Sequence, residues 1–520
     1  MDTKALRQKI LDLAIRGKLV PQDPNDEPAG VLLESIREQK QQMLKEGKLK
    51  KKDIKNDTII FKGEDNLHYE KFQDGTVKCI EDEIPFEVPE GWCWARVRDI
   101  AMVKGGKRLP KGASFSEEIT THAYIRVTDM KNHSVNISNL RYISDEIFSA
   151  IKNYTIAKDD LYVTIAGTIG VVGEIPDKLD GMNLTENAVK ITNIAINKSF
   201  LCIILQTDFV QQQFQDKTHQ VAMPKLALER ILSTLIPICP YVQQLQIVDR
   251  FQICDNFLST IDTEKEELQK IVSLSKYKIL DLAIRGKLVP QDPNDEPASV
   301  ILESIRIEKE ELIKQGKIKR DKKKSVIFKG DDNSYYEKIG NKVNCIDEEI
   351  PFELPEGWAF IRLKIAWELI SGRDLSPSEY NDKNDGIPYI TGASNFRNGH
   401  ISLVRWTTVP QVITRRGDLL LTCKGTIGEI AHNNFGEAHI ARQIMAIRNI
   451  YSLNVDFLAL CIEYSMTKIK QAANGLIPGI SREDILNLVI PIPPTKEQEN
   501  ICNKLKVTFS AIEHIEKSLN

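Results

Sequence analysis

The sequence lacks most of the features by which a chain declares catalysis, export or membrane insertion. Its nine cysteines stand at 79, 93, 202, 239, 254, 345, 423, 461 and 502. They form no CxxC pair and their number is odd, which excludes a zinc ribbon and a disulfide scaffold. No apolar run approaches the ~18 residues of a transmembrane helix. Residues 1–16 are amphipathic and charged, without the apolar core of a secretory signal. A cytoplasmic setting with no membrane contact is the resulting expectation. Charge of neither sign dominates: 70 Lys and Arg against 73 Asp and Glu leave a net charge of −3. That balance excludes a strongly basic nucleic-acid coater and a strongly acidic mimic. It leaves open sequence-specific DNA binding through local patches.

Motifs for chemistry are missing too. There is no GxxxxGK[ST] loop, so no P-loop ATPase. There is no Asp/Asn-Pro-Pro-aromatic run of the amino-methyltransferase kind. The eight histidines show neither HExxH nor any metal spacing. No nuclease-like acidic cluster emerges. Gly105-Gly106 and the two GTIG segments are too short and wrongly placed for a cofactor fingerprint, and read instead as tight turns between strands. No catalytic, cofactor-binding or metal-binding residue is therefore expected in this chain.

What the chain does contain is itself, twice. Its 520 residues suffice for several domains. Residues 9–29 read KILDLAIRGKLVPQDPNDEPA, and residues 278–298 repeat this letter for letter. The identity continues through ESIR at 34–37 and 303–306, FKG at 61–63 and 328–330, and IPFE and PEGW around Trp92 and Trp358. After each tryptophan it collapses to a skeleton: DL…GTIG at 160–170 and 418–428, and an IPI segment at 236–238 and 490–492. A duplication that preserves one segment and scrambles its neighbour implies two domains of one fold with different surfaces.

The connecting segments read as helices. Ile247, Phe251, Cys254, Leu258, Ile261, Lys265 and Leu268 step alternately by four and three, as do Ile501, Leu505, Thr508, Ile512, Ile515 and Leu519. A helix over 242–285 would span roughly 65 Å at ~1.5 Å per residue. Arg16-Gly17 and Arg285-Gly286, with Pro21 and Pro290 beyond, are stop signals. Shorter helices follow over about 28–46 and 297–315. Thr495 and Gln498 suggest a capping box. The central helix carries both halves of the pattern, while the C-terminus carries only the first and the N-terminus only the second. This order predicts a cyclic, pseudo-two-fold arrangement with two long antiparallel helices. The divergent regions read as mixed α/β, without a derivable strand order.

In their order and duplication, the paired AIRGKLVPQDPNDEP segments, the IPFE(V/L)PEGW runs, the GTIG turns and the LIPICP and VIPIPP segments are specific. The chain resembles, over essentially its whole length, the specificity subunit of type I restriction–modification systems. The resemblance implies a mixed α/β fold class, with two globular α/β target-recognition domains separated by the two long helices. The segments are then 1–84 (N-terminal helical), 85–240 (first recognition domain), 241–349 (central helical), 350–494 (second recognition domain) and 495–520 (C-terminal helix). It implies that each domain reads half of a bipartite, asymmetric site in double-stranded DNA. It further implies docking of two methyltransferase (modification) subunits and of ATP-dependent restriction (translocase/nuclease) subunits. S-adenosylmethionine, ATP and Mg would belong to those partners, with no cofactor in this chain. The alternative, left open by the heptads alone, is a repetitive coiled-coil scaffold without DNA specificity.

DNA contact would come from local basic and amide groups. In the first domain these are Lys104, Lys107, Arg108 and Lys111 in one loop, and Arg126, Lys131 and Asn132 after a strand. In the second they are Arg373, then Asn395, Arg397, Asn398 and His400, with Arg405, Lys424 and Arg442; Arg415 and Arg416 add charge. Lysines and arginines meet phosphates, while Arg can pair with guanine and Asn with adenine. The Lys-rich stretches 45–55 and 314–324 read as flexible solvated connectors. Trp92 and Trp358 read as core anchors.

Overall fold

In a computed structural model, residues 2–215, 225–316, 318, 325–397, 400–451, 453–472 and 479–519 are described. The chain forms two compact units, Met1–Lys265 and Glu266–Asn520. Among the described residues, no helix is long and apolar enough to cross a membrane.

The first unit opens with the helix Thr3–Ile15, capped by Asp2, whose carboxylate accepts from the Ala5 N–H at 2.9 Å. It stops where the sequence signals: Gly17 N–H bonds the Ala14 carbonyl and Lys18 N–H the Leu13 carbonyl, with Gly17 at φ 64°. The same two bonds, from Gly286 to Ala283 and from Lys287 to Leu282, end the long helix Tyr241–Ile284. Within the first unit, Thr3 donates to Asp262 and Arg7 bonds Asp255, each at 2.6 Å. Partner numbers fall as helix numbers rise, so the two helices run antiparallel. Leu11, Ala14 and Ile15 enter one buried cluster with Ile247 and Phe251, which accounts for the start of the heptad stripe. In the second unit, the C-terminal helix Thr495–Leu519 takes the corresponding place: Lys276 meets Glu516 at 2.7 Å, and Ile501 and Leu505 share a cluster with Leu280 and Ile284. The expected Thr495–Gln498 capping box is not formed. Gln498 donates instead to the Pro493 carbonyl at 2.8 Å, as Gln244 does to Cys239 at 2.9 Å.

The shorter helices, Ala29–Lys45 and Ala298–Lys314, fall where the sequence places them. The Lys-rich stretch 45–55 corrects an expectation. It is not a loose connector but a turn and the short helix Lys51–Ile54, anchored by the ion pair between Lys40 and Asp57 at 2.7 Å. Its repeat, 314–324, lies largely outside the described residues. Each stretch leads to a three-stranded antiparallel sheet that the sequence did not reveal: Ile59–Lys62, His68–Lys71 and Val77–Cys79 in one unit, Ser325–Lys329, Tyr335–Ile339 and Lys342–Cys345 in the other.

Each variable region is closed by its own ends. Cys93–Arg96 pairs antiparallel with Leu235–Ile238, and Ala359–Arg362 with Val489–Ile492. Between these ends lie two four-stranded sheets with the same order in both units. The first sheet runs Val172–Glu174, Leu161–Thr164, Ala188–Thr192, Met102–Gly105 and is wholly antiparallel; its counterpart is Ile430–His432, Leu419–Thr422, Ile444–Asn449, Trp367–Ser371. The second contains one parallel pair in each unit, His122–Ile125 with Met182–Leu184 and Ile387–Ile390 with Ala438–Ile440. The GTIG segments are the hairpin turns of the first sheets. In both, the Thr164 or Thr422 N–H bonds across the turn to Val171 or Glu429, and both turn glycines have positive φ. Trp92 and Trp358 are buried, as expected of core anchors.

Candidate DNA interface

Both units build the same strand-to-loop crossing. Gly106 lies 14 residues after Trp92, and Gly372 lies 14 after Trp358. A Cβ on Gly106 would stand 2.0 Å from the Thr185 carbonyl oxygen, and one on Gly372 2.1 Å from that of Ala441. Only glycine lets the two backbones pass this closely. The next residue is then fixed by its N–H: Lys107 to the Leu184 carbonyl and Arg373 to the Ile440 carbonyl, each at 2.9 Å. Lys107 and Arg373 therefore occupy one structural position.

Their carbonyls are also held, but by different side chains. In the first unit the Tyr124 hydroxyl donates to the Lys107 carbonyl at 2.7 Å. Burial pushes the Tyr124 phenol up to about 12, which keeps it a donor. In the second unit His439 Nε2 lies 2.7 Å from the Arg373 carbonyl and must carry the proton. Its Nδ1 accepts from the Gln411 and Val412 N–H groups at 3.2 and 3.1 Å. Both ring nitrogens are thus engaged as a neutral imidazole, and burial holds its pKa below the ordinary value.

The following position reverses charge. Arg108 Nε is 4.0 Å from Glu186, whereas Asp374, the counterpart of Arg108, is 2.7 Å from Nε of Arg442, the counterpart of Glu186. The sequence identified both arginines but neither carboxylate. It also missed Tyr124, His439 and Gly372, and read Gly106 only as part of a tight turn. The constant Trp-to-Gly spacing was the available signal.

A second crossing leads to a hairpin. Arg126 grips Asp129 with Nε and Nη2 at 3.0 and 2.7 Å, and the Asn139 carbonyl with Nη2 at 2.9 Å. This leaves no free guanidinium fork for guanine, contrary to expectation. Asn395 is a second correction. It is buried; its Oδ1 accepts from the Thr391 N–H and its Nδ2 donates to the Ser402 carbonyl, so it caps a turn instead of facing a base. The hairpin Met130–Lys131 with Ser134–Val135 then presents Lys131 and Asn132, exposed, with Asn132 and His133 at φ 51° and 56°. Its repeat, Phe396–Arg397 with His400–Ile401, presents Arg397 and His400; Asn398 lies outside the described residues.

The remaining candidates are exposed. Lys104 sits on an edge strand, Lys111 in the loop beyond and Lys424 in the GTIG turn. Arg405 lies over the Tyr380 ring at 4.9 Å, and Arg415 is 4.0 Å from Glu437. Among the described residues, no cluster of three or more His, Cys, Asp or Glu could hold a metal ion.

The family model for the type I restriction modification DNA specificity domain matches residues 89–271 and again 355–520. The chain belongs to this family. Among curated members, it is 26% identical to the specificity subunit of the type I restriction enzyme EcoAI of Escherichia coli, over 97% of this chain and 90% of that one. It is 24% identical to the EcoEI specificity subunit of the same species, over 99% and 90%. A chain from a solved structure of the type I R-M system shares the fold, with TM-score 0.53 and 17% identity over 84% of this chain and 94% of that one. Within the type I specificity family, the paired Gly106 and Gly372 crossings lie one in each matched segment.

Proposed function

We propose that this chain is the DNA-recognition subunit of a type I restriction–modification assembly, with one unit reading each half of a bipartite, asymmetric site. The supporting observation is the pair of loops beyond Gly106 and Gly372: identical backbone crossings carry Lys107-Arg108 beside Glu186 in one unit and Arg373-Asp374 beside Arg442 in the other. One scaffold with two different polar surfaces suits two different half-sites. The chain itself is non-catalytic. Two modification subunits supply S-adenosylmethionine chemistry, and restriction subunits supply ATP- and Mg-dependent translocation and cleavage. The relatives lend no support to a scaffold without DNA specificity.

Methylome sequencing of a host expressing the chain with its modification subunit tests this. One bipartite methylated motif is expected, and exchange of residues 92–238 for those of a relative should change only one half of it. Random or absent methylation would refute the reading.

A further inference from the structure

The charge-reversed pairs have a chemistry beyond holding the loops. Each arginine is largely exposed, Arg108 at 77% and Arg442 at 68% of its side-chain surface. Each faces a carboxylate fixed by other groups. Thr185 Oγ1 donates to Glu186 at 3.3 Å, and the Tyr124 hydroxyl lies 3.4 Å from the same oxygen. Asp374 accepts the Arg442 N–H at 3.1 Å besides the guanidinium. An exposed ion pair contributes little to folding. It does give a surface arginine an anionic partner of the kind that a DNA phosphate also offers.

We propose that Glu186 and Asp374 are specificity-determining residues that stand in for a DNA phosphate. Asp374 occupies Arg442 in a 2.7 Å pair and Glu186 stands 4.0 Å from Arg108, each until a correctly shaped duplex replaces the carboxylate, which taxes binding to every duplex that cannot. On a non-matching sequence, Arg108 and Arg442 gain a phosphate only by losing a carboxylate, and the carboxylate then repels the backbone. On a matching sequence, the remaining loop contacts offset that loss. Because the cation stands on the first loop in one unit and in the turn after Ala438–Ile440 in the other, the two units tax their half-sites independently. This inference rests on the proposed DNA-reading role.

The test uses the full chain assembled with its modification subunits and two probes: a duplex carrying the methylated motif and a scrambled duplex of the same composition. Glu186→Gln keeps the acceptor for Thr185 and removes the charge; Asp374→Asn does the same in the second unit. Each variant is expected to bind the scrambled duplex roughly three- to ten-fold more tightly, and the ratio of motif to scrambled affinity is expected to fall. The slope of log affinity against log salt should steepen by about one for the scrambled duplex, as one more cation is free to release a counterion. Duplexes degenerate in only one half should assign the lost discrimination to one half-site per variant. The exchange Arg108→Asp with Glu186→Arg, which copies the second unit's arrangement into the first, should fold normally and alter only the first unit's half-site. Unchanged or weaker binding to the scrambled duplex, in variants whose thermal unfolding matches the parent, would overturn the proposal and leave the pairs as structural staples. A parent assembly that prefers no sequence would instead defeat the DNA-reading role beneath it.

Discussion

Trp358 donates its indole N–H to Glu497 at 2.9 Å, in the place where Trp92 meets the amide oxygen of Gln243 at the same distance. The surrounding QDPNDEP loop is identical in both repeats, but its glutamine is used differently: Gln22 accepts from Trp92 at 3.0 Å, whereas Gln291 bonds Glu497. Gln243 also donates to Asp26 at 2.9 Å, satisfying both ends of its amide. Glu497 faces the equivalent Asp295, and its Oε1 has no hydrogen-bond partner. Burial raises its carboxyl pKa above the ordinary value against the lowering hydrogen bonds of Trp358 and Gln291, and the charge of Asp295 adds a smaller rise. A raised folded pKa means that the folded state holds the proton more tightly. The favourable balance is therefore full below the unfolded value and is lost as pH rises through the folded one. Glu497→Gln should stabilise the second unit by about 1–3 kcal/mol at pH 7.5, the usual cost of an unsatisfied buried group. Calorimetry at pH 7.5 and pH 4.5 should show the gain shrinking at the lower pH.

The opposite sign holds at the arginines that join the small sheets to the recognition regions. Arg96 bonds Glu70 and Glu83, each at 2.8 Å, and the Ser233 carbonyl at 3.0 Å. Arg362 bonds Glu337 at 2.7 Å, Glu349 at 2.6 Å and the Asn487 carbonyl at 2.8 Å. Burial raises Glu70 and Glu337, but the hydrogen bonds and charge of the arginines outweigh it and leave both net lowered. Their stabilisation is present at neutral pH and is lost as pH falls through the folded value. Arg362→Met strands a buried carboxylate and should cost about 3–5 kcal/mol by urea unfolding. Adding Glu337→Leu should restore much of the loss.

His439 predicts a pH response confined to one unit. Protonation would place a second donor at Nδ1 against the Gln411 and Val412 N–H groups. Glu379 and Asp374 favour the charged form, but burial outweighs them and lowers the pKa. A lowered pKa means stability that is present above the ordinary histidine value of about 6.5 and lost as pH falls through the folded one. Between pH 7.5 and pH 5.5, binding to a duplex with only the second half-site intact should weaken more than binding to one with only the first, where Tyr124 does the same task. His439→Gln, with no charge to acquire, should abolish that difference while weakening binding at both pH values. Equal pH dependence at the two half-sites would contradict the role assigned to His439.

The repeat made the helices legible. Identical helix stops, turns and IPI segments restrict each other, and the observed helix ends fall within a few residues of the sequence reading. The small sheets were not legible, because Val77–Cys79 is only three residues long and exposed throughout, too short for a period of two to stand out. They are tied to Arg96 and Arg362, whose carboxylate partners lie up to 26 residues away in the sequence. The candidate DNA loops were legible as charge but not as geometry. Arg126 and Asn395 have side chains suited to bases, yet folding engages both locally, through Asp129 and through a turn cap. Glu186 and Asp374 escaped because a search for DNA contacts looks for cations and amides.

The glycine crossings permit a test in which fold and reading separate. Gly106→Ala would drive its Cβ to 2.0 Å from the Thr185 carbonyl oxygen, a backbone atom that cannot rotate away. The strand Met102–Gly105 is held by four register pairs to Ala188–Thr192 and should stay in place. Strain should therefore appear in the next bond, from Lys107 to Leu184, and displace the loop that carries Arg108. The expected result is a modest loss of stability, about 1–3 kcal/mol for such overpacking. First-half-site binding should fall at least ten-fold, while the second half-site is read as before. Gly372→Ala should give the mirror outcome through Ala441 and Arg373, because its Cβ would stand 2.1 Å from that carbonyl oxygen. If either substitution weakened both half-sites equally, the two crossings would not be the independent reading surfaces proposed for them.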